Sequence, residues 1–222
     1  MKRASKKLPI ALVTGFDPFG GETINPSFEI ARALDGATIA GHRIVGAELP
    51  TEFVRSLPAL DALLRKHRPT LVIALGQAGG RSGISLERIA VNLIDARIAD
   101  NAGAQPVDVH IVENAANAYF STLPVKAMLS ALRTANIPAE LSQTAGSFVC
   151  NLVFYGLMHR LARARRDVRG GFIHVPFLPE QVQKVPGAAS MPLMTMIAAL
   201  RLCLETALTT KDDLHYAAGA TH

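Results

Sequence analysis

"TLVIALGQAGGRSG", residues 70–83, joins an unbroken apolar run to a glycine-rich turn. A short run that is apolar at every position suits a strand buried on both faces, as in a largely parallel sheet covered by helices on either side. "IALVTGF" (10–16) and "GFIHVPF" (171–177) have the same character, and "HRIVGAEL" (42–49) and "AELSQ" (139–143) read as further strands. Between them lie helical patterns: "SFEIARALDG" (27–36), "TEFVRSLPALDALLRKH" (51–67), "VKAMLSALRTA" (125–135), "SFVCNLVFYGLMHRLARARR" (147–166) and "MPLMTMIAALRLCLETAL" (191–208). "ISLERIAVNLI" (84–94) reads as one extended segment. This alternation predicts an α/β fold, a three-layer α/β/α sandwich around a twisted, mostly parallel mixed sheet. With no repeat and no linker, residues 1–222 read as one domain. Residues 1–8 form a basic tail, and the segment from about 209 to 222 is expected to be loose.

The chain has 222 residues and is 49% hydrophobic, enough for a full α/β core. No stretch approaches the ~20 apolar residues of a membrane span. The N-terminal "MKRASKKLPIALVTGF" lacks a cleavage site and reads as a basic start leading into a buried strand, not as a leader peptide. A soluble, cytoplasmic protein without membrane partners is expected, in a reducing compartment, because two cysteines make no disulfide framework.

The net charge of +5 is concentrated in two places: Lys2, Arg3, Lys6 and Lys7, and the cluster Arg160, Arg163, Arg165, Arg166 and Arg169 around Asp167. Setting aside those nine basic residues and Asp167 leaves 14 basic residues against 17 acidic ones, so the body is slightly acidic. The arginine cluster reads as the solvated end of a helix, where cations complement the dipole. Nucleic acid is not an expected partner, since no recognition module accompanies the charge.

Ligand sites on such sheets gather beyond the carboxyl ends of the strands. "GFDPFGG", "GQAGGRSG", "SQTAGSFVC" and "HVPFLPEQ" each follow a strand directly. If Ser147 caps the helix, Cys150 falls in its first turn, where free N–H groups stabilise a thiolate. Lowering a thiol pKa by about two units requires ~2.7 kcal/mol. A dipole supplies ~1 kcal/mol, so an imidazolium nearby is also required. A small buried hydrophobe is the alternative reading of Cys150. Cys203, mid-helix among apolar neighbours, reads as core.

His174, at the end of a strand just before Pro176, is either a base or a satisfied core histidine. Glu87 lies on an apolar face with Ile89, Val91 and Leu93 if the extended segment alternates regularly. There it is either half of a structural ion pair or a carboxylate that orients a histidine. No histidine pair has ligand spacing, and no metal is expected. "GQAGGRSG" fits neither G-x-G-x-x-G nor a P-loop. Phe16 and Phe19 either roof the core or wall a site for a flat ring.

Together these segments resemble the pyroglutamyl peptidase I family, cysteine peptidases also called pyrrolidone-carboxylate peptidases. The resemblance rests on "TGFDPFGG" with "NPS", "GQAGGRSGISLERIAVN", "LSQTAGSFVCN" and "GFIHVPFLPEQ", and spans residues 10 to about 205. Small departures are Asn136 before "IPA", where the family often has glycine, and Asn114–Ala116, where Gly-Pro is common. The resemblance implies a fold like that of purine nucleoside phosphorylases, a dimer or tetramer, and no metal or cofactor. It also implies cleavage of an amino-terminal 5-oxoproline from peptides by Cys150, His174 and Glu87. Phe16, Phe19, Phe148 and Val149 would wall the pocket, the Gln77 backbone would bind the lactam amide, and Arg97 would help hold the oxyanion. The fold alone leaves room for a nucleoside phosphorylase or hydrolase, and for an inactive relative used as a binding module.

Overall fold

The computed structural model describes residues 7–183 and 187–219; the basic residues Lys2, Arg3 and Lys6 lie outside them. Among the described residues the strands are β1 (Ile10–Phe16), β2 (Thr38–Ile39), β3 (His42–Leu49), β4 (Leu71–Gln77), β5 (Ile84–Glu87), β6 (Ile89–Val91), β7 (Ala118–Phe120), β8 (Ala139–Ser142) and β9 (Arg169–Val175). The helices are α1 (Pro26–Leu34), α2 (Ser56–His67), α3 (Val125–Thr134), α4 (Val149–Ala162) and α5 (Leu193–Thr209). The main sheet has the order β2-β3-β1-β4-β9-β5-β8. Strands β3, β1, β4 and β9 run parallel, while β5 runs antiparallel to β9 with β8 parallel to β5. The sheet is therefore mixed and mostly parallel, as its apolar runs predict.

Alternate residues of each central strand enter two different cores. Ala11, Val13, Ile73, Leu75, Ile173 and Val175 pack with α1, α3 and α5. Leu12, Val72, Ala74 and Phe172 pack with α2 and α4. The period-2 geometry of a strand thus gives the three layers directly. On β5, Ile84 and Leu86 join the first core. Ser85 and Glu87 therefore face the α4 side.

The expected single extended segment 84–94 divides at Arg88. β6 leaves the main sheet and pairs with β7 in a separate antiparallel ribbon. The regular alternation fails with it: Leu93 is exposed and Asn92 is buried, bonded through its side chain to the backbone of Val112. Helix α4 begins at Val149, with Phe148 at the N-cap and no side-chain cap. Ser147 is not the cap; its hydroxyl donates to Asp95 O at 2.7 Å.

One other expectation changes in part. In the arginine cluster, Arg160 donates to Asp61 on α2 and to Gly156 O, and Arg169 lies in β9 and donates to Thr210 O and Ala207 O at the end of α5. Only Arg163, Arg165 and Arg166 fit the reading of a solvated helix end. Of the segment after α5, expected to be loose, residues 220–222 lie outside the described residues, and those before them carry hydrogen bonds to α3. Asp213 Oδ1 and Oδ2 accept from the N–H groups of Ala127 and Lys126, and Tyr216 O–H donates to Lys126 O. No described helix is long and apolar enough to cross a membrane.

Candidate active site

The first glycine motif, "TGFDPFGGETINPS", is explained by a close approach of strand and helix. A Cβ at Gly15 would lie 2.3 Å from the backbone of Ser27 and Phe28 at the start of α1. Asn25 caps that helix by accepting from Ser27 N, while Ser27 Oγ accepts from Phe16 N at 2.9 Å. Asn25 Nδ2 also donates to Asp17 O, so the β1 exit loop is fixed to the helix it precedes.

On the α4 face of the sheet, register places three elements of one site side by side. Gly76 of β4 pairs with His174 of β9, and His174 pairs with Ser85 of β5. Glu87, two residues on from Ser85, shares that face. His174 Nδ1 and Glu87 Oε1 are 2.8 Å apart, with His174 4% exposed and Glu87 fully buried. The carboxylate therefore takes Nδ1 and leaves Nε2 as the ring's free nitrogen. Cys150 lies above Gly76: a Cβ on that glycine would sit 2.8 Å from the Cys150 sulfur and 2.8 Å from the Phe172 ring. The Phe172 ring is 4.9 Å, centroid to centroid, from the imidazole of His174. So the thiol, imidazole and carboxylate occupy one face over three neighbouring strands. No hydrogen bond joins the Cys150 sulfur to His174 among the described residues.

Cys150 is half-buried. Burial pushes its thiol up to about 12, and the nearby Glu87 carboxylate adds to the rise. The Arg81 guanidinium and the residue's own backbone N–H pull the other way. The N-terminal position on α4 therefore does not by itself yield a thiolate. Water reaching the half-open residue works against the rise. Cys203 is fully buried in α5 and also pushed up to about 12, as a core thiol should be.

The other residues singled out in the sequence divide. Phe19 and Phe148 face each other at 6.2 Å, and Phe148 meets Phe53 edge-on at 5.2 Å, so an aromatic wall stands at the mouth of β1 and the start of α4. Phe53 had no sequence signal that set it apart. Phe16 is buried beneath this wall against Phe172, and Val149 is fully buried in the same core, so both stand behind the surface. Gln77 is buried at the end of β4, and its Oε1 accepts from Gln181 Nε2 at 2.9 Å. Gln181 also donates to Ile24 O and Glu22, tying together the loops after β1, β4 and β9. Arg97 is exposed on the segment after β6 and has no hydrogen bond or ion pair among the described residues.

Sequence reasoning passed over Arg81, which lies in the quoted glycine turn. Its Nη1 is 2.6 Å from Glu87 Oε1, and its Nη2 donates to Thr144 O at 2.9 Å. It also passed over Asn151, fully buried next to Cys150. Its Oδ1 accepts from Val91 N, and its Nδ2 donates to Val91 O and Leu93 O. Polar side chains whose partners lie far along the chain carry no periodicity that a single sequence could reveal.

Comparison with known proteins gives this arrangement its class. A family model for pyroglutamyl peptidase matches residues 10–210. Pyrrolidone-carboxylate peptidase 1 of Ralstonia nicotianae is 54% identical, covering 97% of this chain and 100% of its own. The pyrrolidone-carboxylate peptidase of Bacillus cereus is 51% identical, covering 95% of this chain and 98% of its own. The crystal structure of pyroglutamyl peptidase I from Bacillus amyloliquefaciens superposes with a TM-score of 0.91 at 44% identity, covering 96% of this chain and 100% of that one. Pyrrolidone carboxyl peptidase from Thermococcus litoralis gives 0.91 at 39%, covering 95% and 100%. The class these likenesses define is that of the cysteine peptidases, hydrolases rather than phosphorylases. Within that class, the chain belongs to the pyroglutamyl peptidase family.

Proposed function

We propose that this chain removes an amino-terminal pyroglutamyl (5-oxoproline) residue from peptides by covalent catalysis at Cys150, with His174 as base and acid and Glu87 orienting the imidazole. The observation that carries the reading is the 2.8 Å contact between His174 Nδ1 and Glu87 Oε1 beside the Cys150 thiol at a helix start. A carboxylate on Nδ1 fixes the tautomer that leaves Nε2 to accept the thiol proton, and it stabilises the imidazolium that results. The raised thiol makes this internal transfer the route to a thiolate.

In the acylation step the sulfur attacks the carbonyl that links pyroglutamate to the next residue. His174 gives its proton to the departing amine as the C–N bond breaks, leaving a thioester. Water, deprotonated by His174, then splits the thioester, releases pyroglutamate and returns the proton to sulfur. The backbone N–H of Cys150, in the first turn of α4, would stabilise the developing oxyanion. Contacts of that kind tighten in the substrate complex, which is where the thiol and imidazole would close their hydrogen bond.

A pyroglutamyl end is flat and carries no ammonium, so it suits aromatic walls and a few backbone hydrogen bonds. Phe19 and Phe148 form the surface of that wall, Phe16 and Val149 support it from behind, and the Gln77 backbone would meet the lactam amide. Arg97, exposed and unpaired in the resting structure, would reach the oxyanion only by moving toward it. Assembly as a dimer or tetramer, in a reducing cytoplasm, completes the reading.

The test is hydrolysis of pyroglutamyl-7-amido-4-methylcoumarin under reducing conditions. Wild type should release the fluorophore and Cys150→Ala should not, with both proteins folded by circular dichroism. An active Cys150→Ala would refute the nucleophile, and comparable kcat/KM for prolyl and pyroglutamyl amides would refute the pocket.

A further inference from the structure

Glu87 is an unusual carboxylate. It is fully buried, and Oε1 receives both His174 Nδ1 and Arg81 Nη1, while Oε2 has no hydrogen-bond partner among the described residues. Burying a charge in this way is costly unless a countercharge accompanies it. Arg81 supplies one from the turn between β4 and β5, with its side chain 24% exposed. The same guanidinium spans to Thr144 O in the loop that leads from β8 into α4. It is the planar fork of arginine that allows one side chain to hold two acceptors in fixed directions. One residue thus links the carboxylate of the site to the chain segment that delivers the nucleophile.

From this geometry we infer that Arg81 is a positioning residue for the proposed reaction, a fourth member of the site that holds Glu87 on His174 and sets the charge balance in which the Cys150 thiolate forms. The inference rests on the Cys150–His174–Glu87 reading given above. Its physical content is simple. With Glu87 alone behind the histidine, the site holds one fixed negative charge, which opposes a thiolate. With Arg81 paired to Glu87, the fixed charges cancel, and the proton that leaves sulfur creates a balanced thiolate–imidazolium pair. The direction of the Arg81 effect on the thiol agrees with this. The charged groups that act on the sulfur are Glu87 from β5 and Arg81 from the turn; the titratable His174 of β9 is the register partner of Gly76, over which the sulfur lies, and Asp95 and Arg97 lie exposed on the segment beside Ser147.

Removing a nearby cation makes a thiolate harder to form and an imidazolium easier to keep, so both limbs of a bell-shaped pH profile should move to higher pH. A residue that merely supports the fold would lower the height of the profile and leave its limbs in place.

The experiment compares wild type, Arg81→Gln, Arg81→Lys and Cys150→Ala. It measures kcat and KM on the pyroglutamyl coumarin amide from pH 5 to 10, and Cys150 alkylation by iodoacetamide over the same range. Arg81→Gln should lose about tenfold or more in kcat with KM within about threefold, and both limbs should rise by about one pH unit. Arg81→Lys keeps the charge but not the fork, so its limbs should stay near wild type while kcat recovers only in part. Unmoved limbs in Arg81→Gln, or a loss confined to KM, would overturn the inference. Should Arg81→Gln fail to fold, Arg81→Lys still decides the matter, because wild-type kcat there would show that the bridge to Thr144 is not used. If Cys150→Ala keeps its activity, the reading of the site falls and this inference with it. If Cys150→Ala is dead and Arg81→Gln is indistinguishable from wild type, only the role of Arg81 falls.

Discussion

At Gly76 a side chain would occupy the space that the Cys150 sulfur and the Phe172 ring share. Neither neighbour can withdraw easily, since Phe172 is buried and Cys150 is held by its helix. Gly76→Ala should therefore push the thiol away from His174. We expect a loss of about 1–3 kcal/mol in stability, typical of overpacking. The larger effect should fall on kcat, because displacement by one ångström of a reacting group can cost about a hundredfold. Thermal melts with kinetics on the same sample check this, and a Gly76→Ala enzyme with wild-type kcat would show that the thiol has room to spare.

Cys150, His174 and Glu87 could be singled out in the sequence because each breaks a local pattern: a thiol after a turn, a histidine ending an apolar strand, a carboxylate in an extended segment. Gly76 and Arg81 break none, since a glycine turn explains them equally well. Asn136 has φ 55°, and asparagine is among the few side chains that accept this left-handed conformation.

At the scale of elements, α3 shows how a helix end can be completed from far along the chain. Its N-cap is Pro124, which offers no side-chain cap. The orphan N–H groups of Lys126 and Ala127 are satisfied by Asp213 instead. A carboxylate at a helix N-terminus is favourable both as an acceptor and against the dipole. Asp213→Ala should cost about 1 kcal/mol, a fall of roughly 2–4 °C in Tm for a chain of this size. Asp212→Ala, at an exposed neighbour without a hydrogen bond, is the control and should change little. Equal melts for the two variants would mean that the tail contact is not formed in solution.

Helices and central strands were readable because their apolar periods are long. The β6–β7 ribbon was not, because Ile89–Val91 and Ala118–Phe120 are three residues each and pair across a 26-residue excursion. The break at Arg88 is likewise tertiary in origin. Arg88 N bonds to Ser142 O, and Ser121 N bonds to Arg88 O, so two different partners pull the strand apart.

For the molecule as a whole, the mixed direction of the sheet decides how the site closes. β1, β4 and β9 present their carboxyl ends together, which is where ligand sites on α/β sheets are expected. β5 and β8 run the other way, so the loop after β8 must turn back before α4 can bring Cys150 over Gly76. Strand order of this kind is not encoded in any local pattern. The apolar runs announce that the strands are buried, not which neighbour each will choose.

The two thiols, Cys203 in the core and Cys150 half-buried, also give the molecule a global pH dependence, of which Cys203 carries the larger share. Cys150 and Cys203 are both pushed up to about 12 in the folded chain, whereas an unfolded cysteine ionises near pH 8.5. Between those values the unfolded chain loses thiol protons that the native protein keeps. The native state therefore binds more protons, and stability must fall as pH rises from about 9 toward 12. Each thiol can contribute a slope of at most ~1.4 kcal/mol per pH unit. Urea unfolding between pH 8 and 11 should show this fall. Cys203→Ala will start from a lower stability because it leaves a cavity, but its stability should decline less steeply with pH than that of wild type. Parallel slopes for the two proteins would mean that Cys203 is not ionised by unfolding, and that the alkaline limit of this fold is set by its lysines and tyrosines instead.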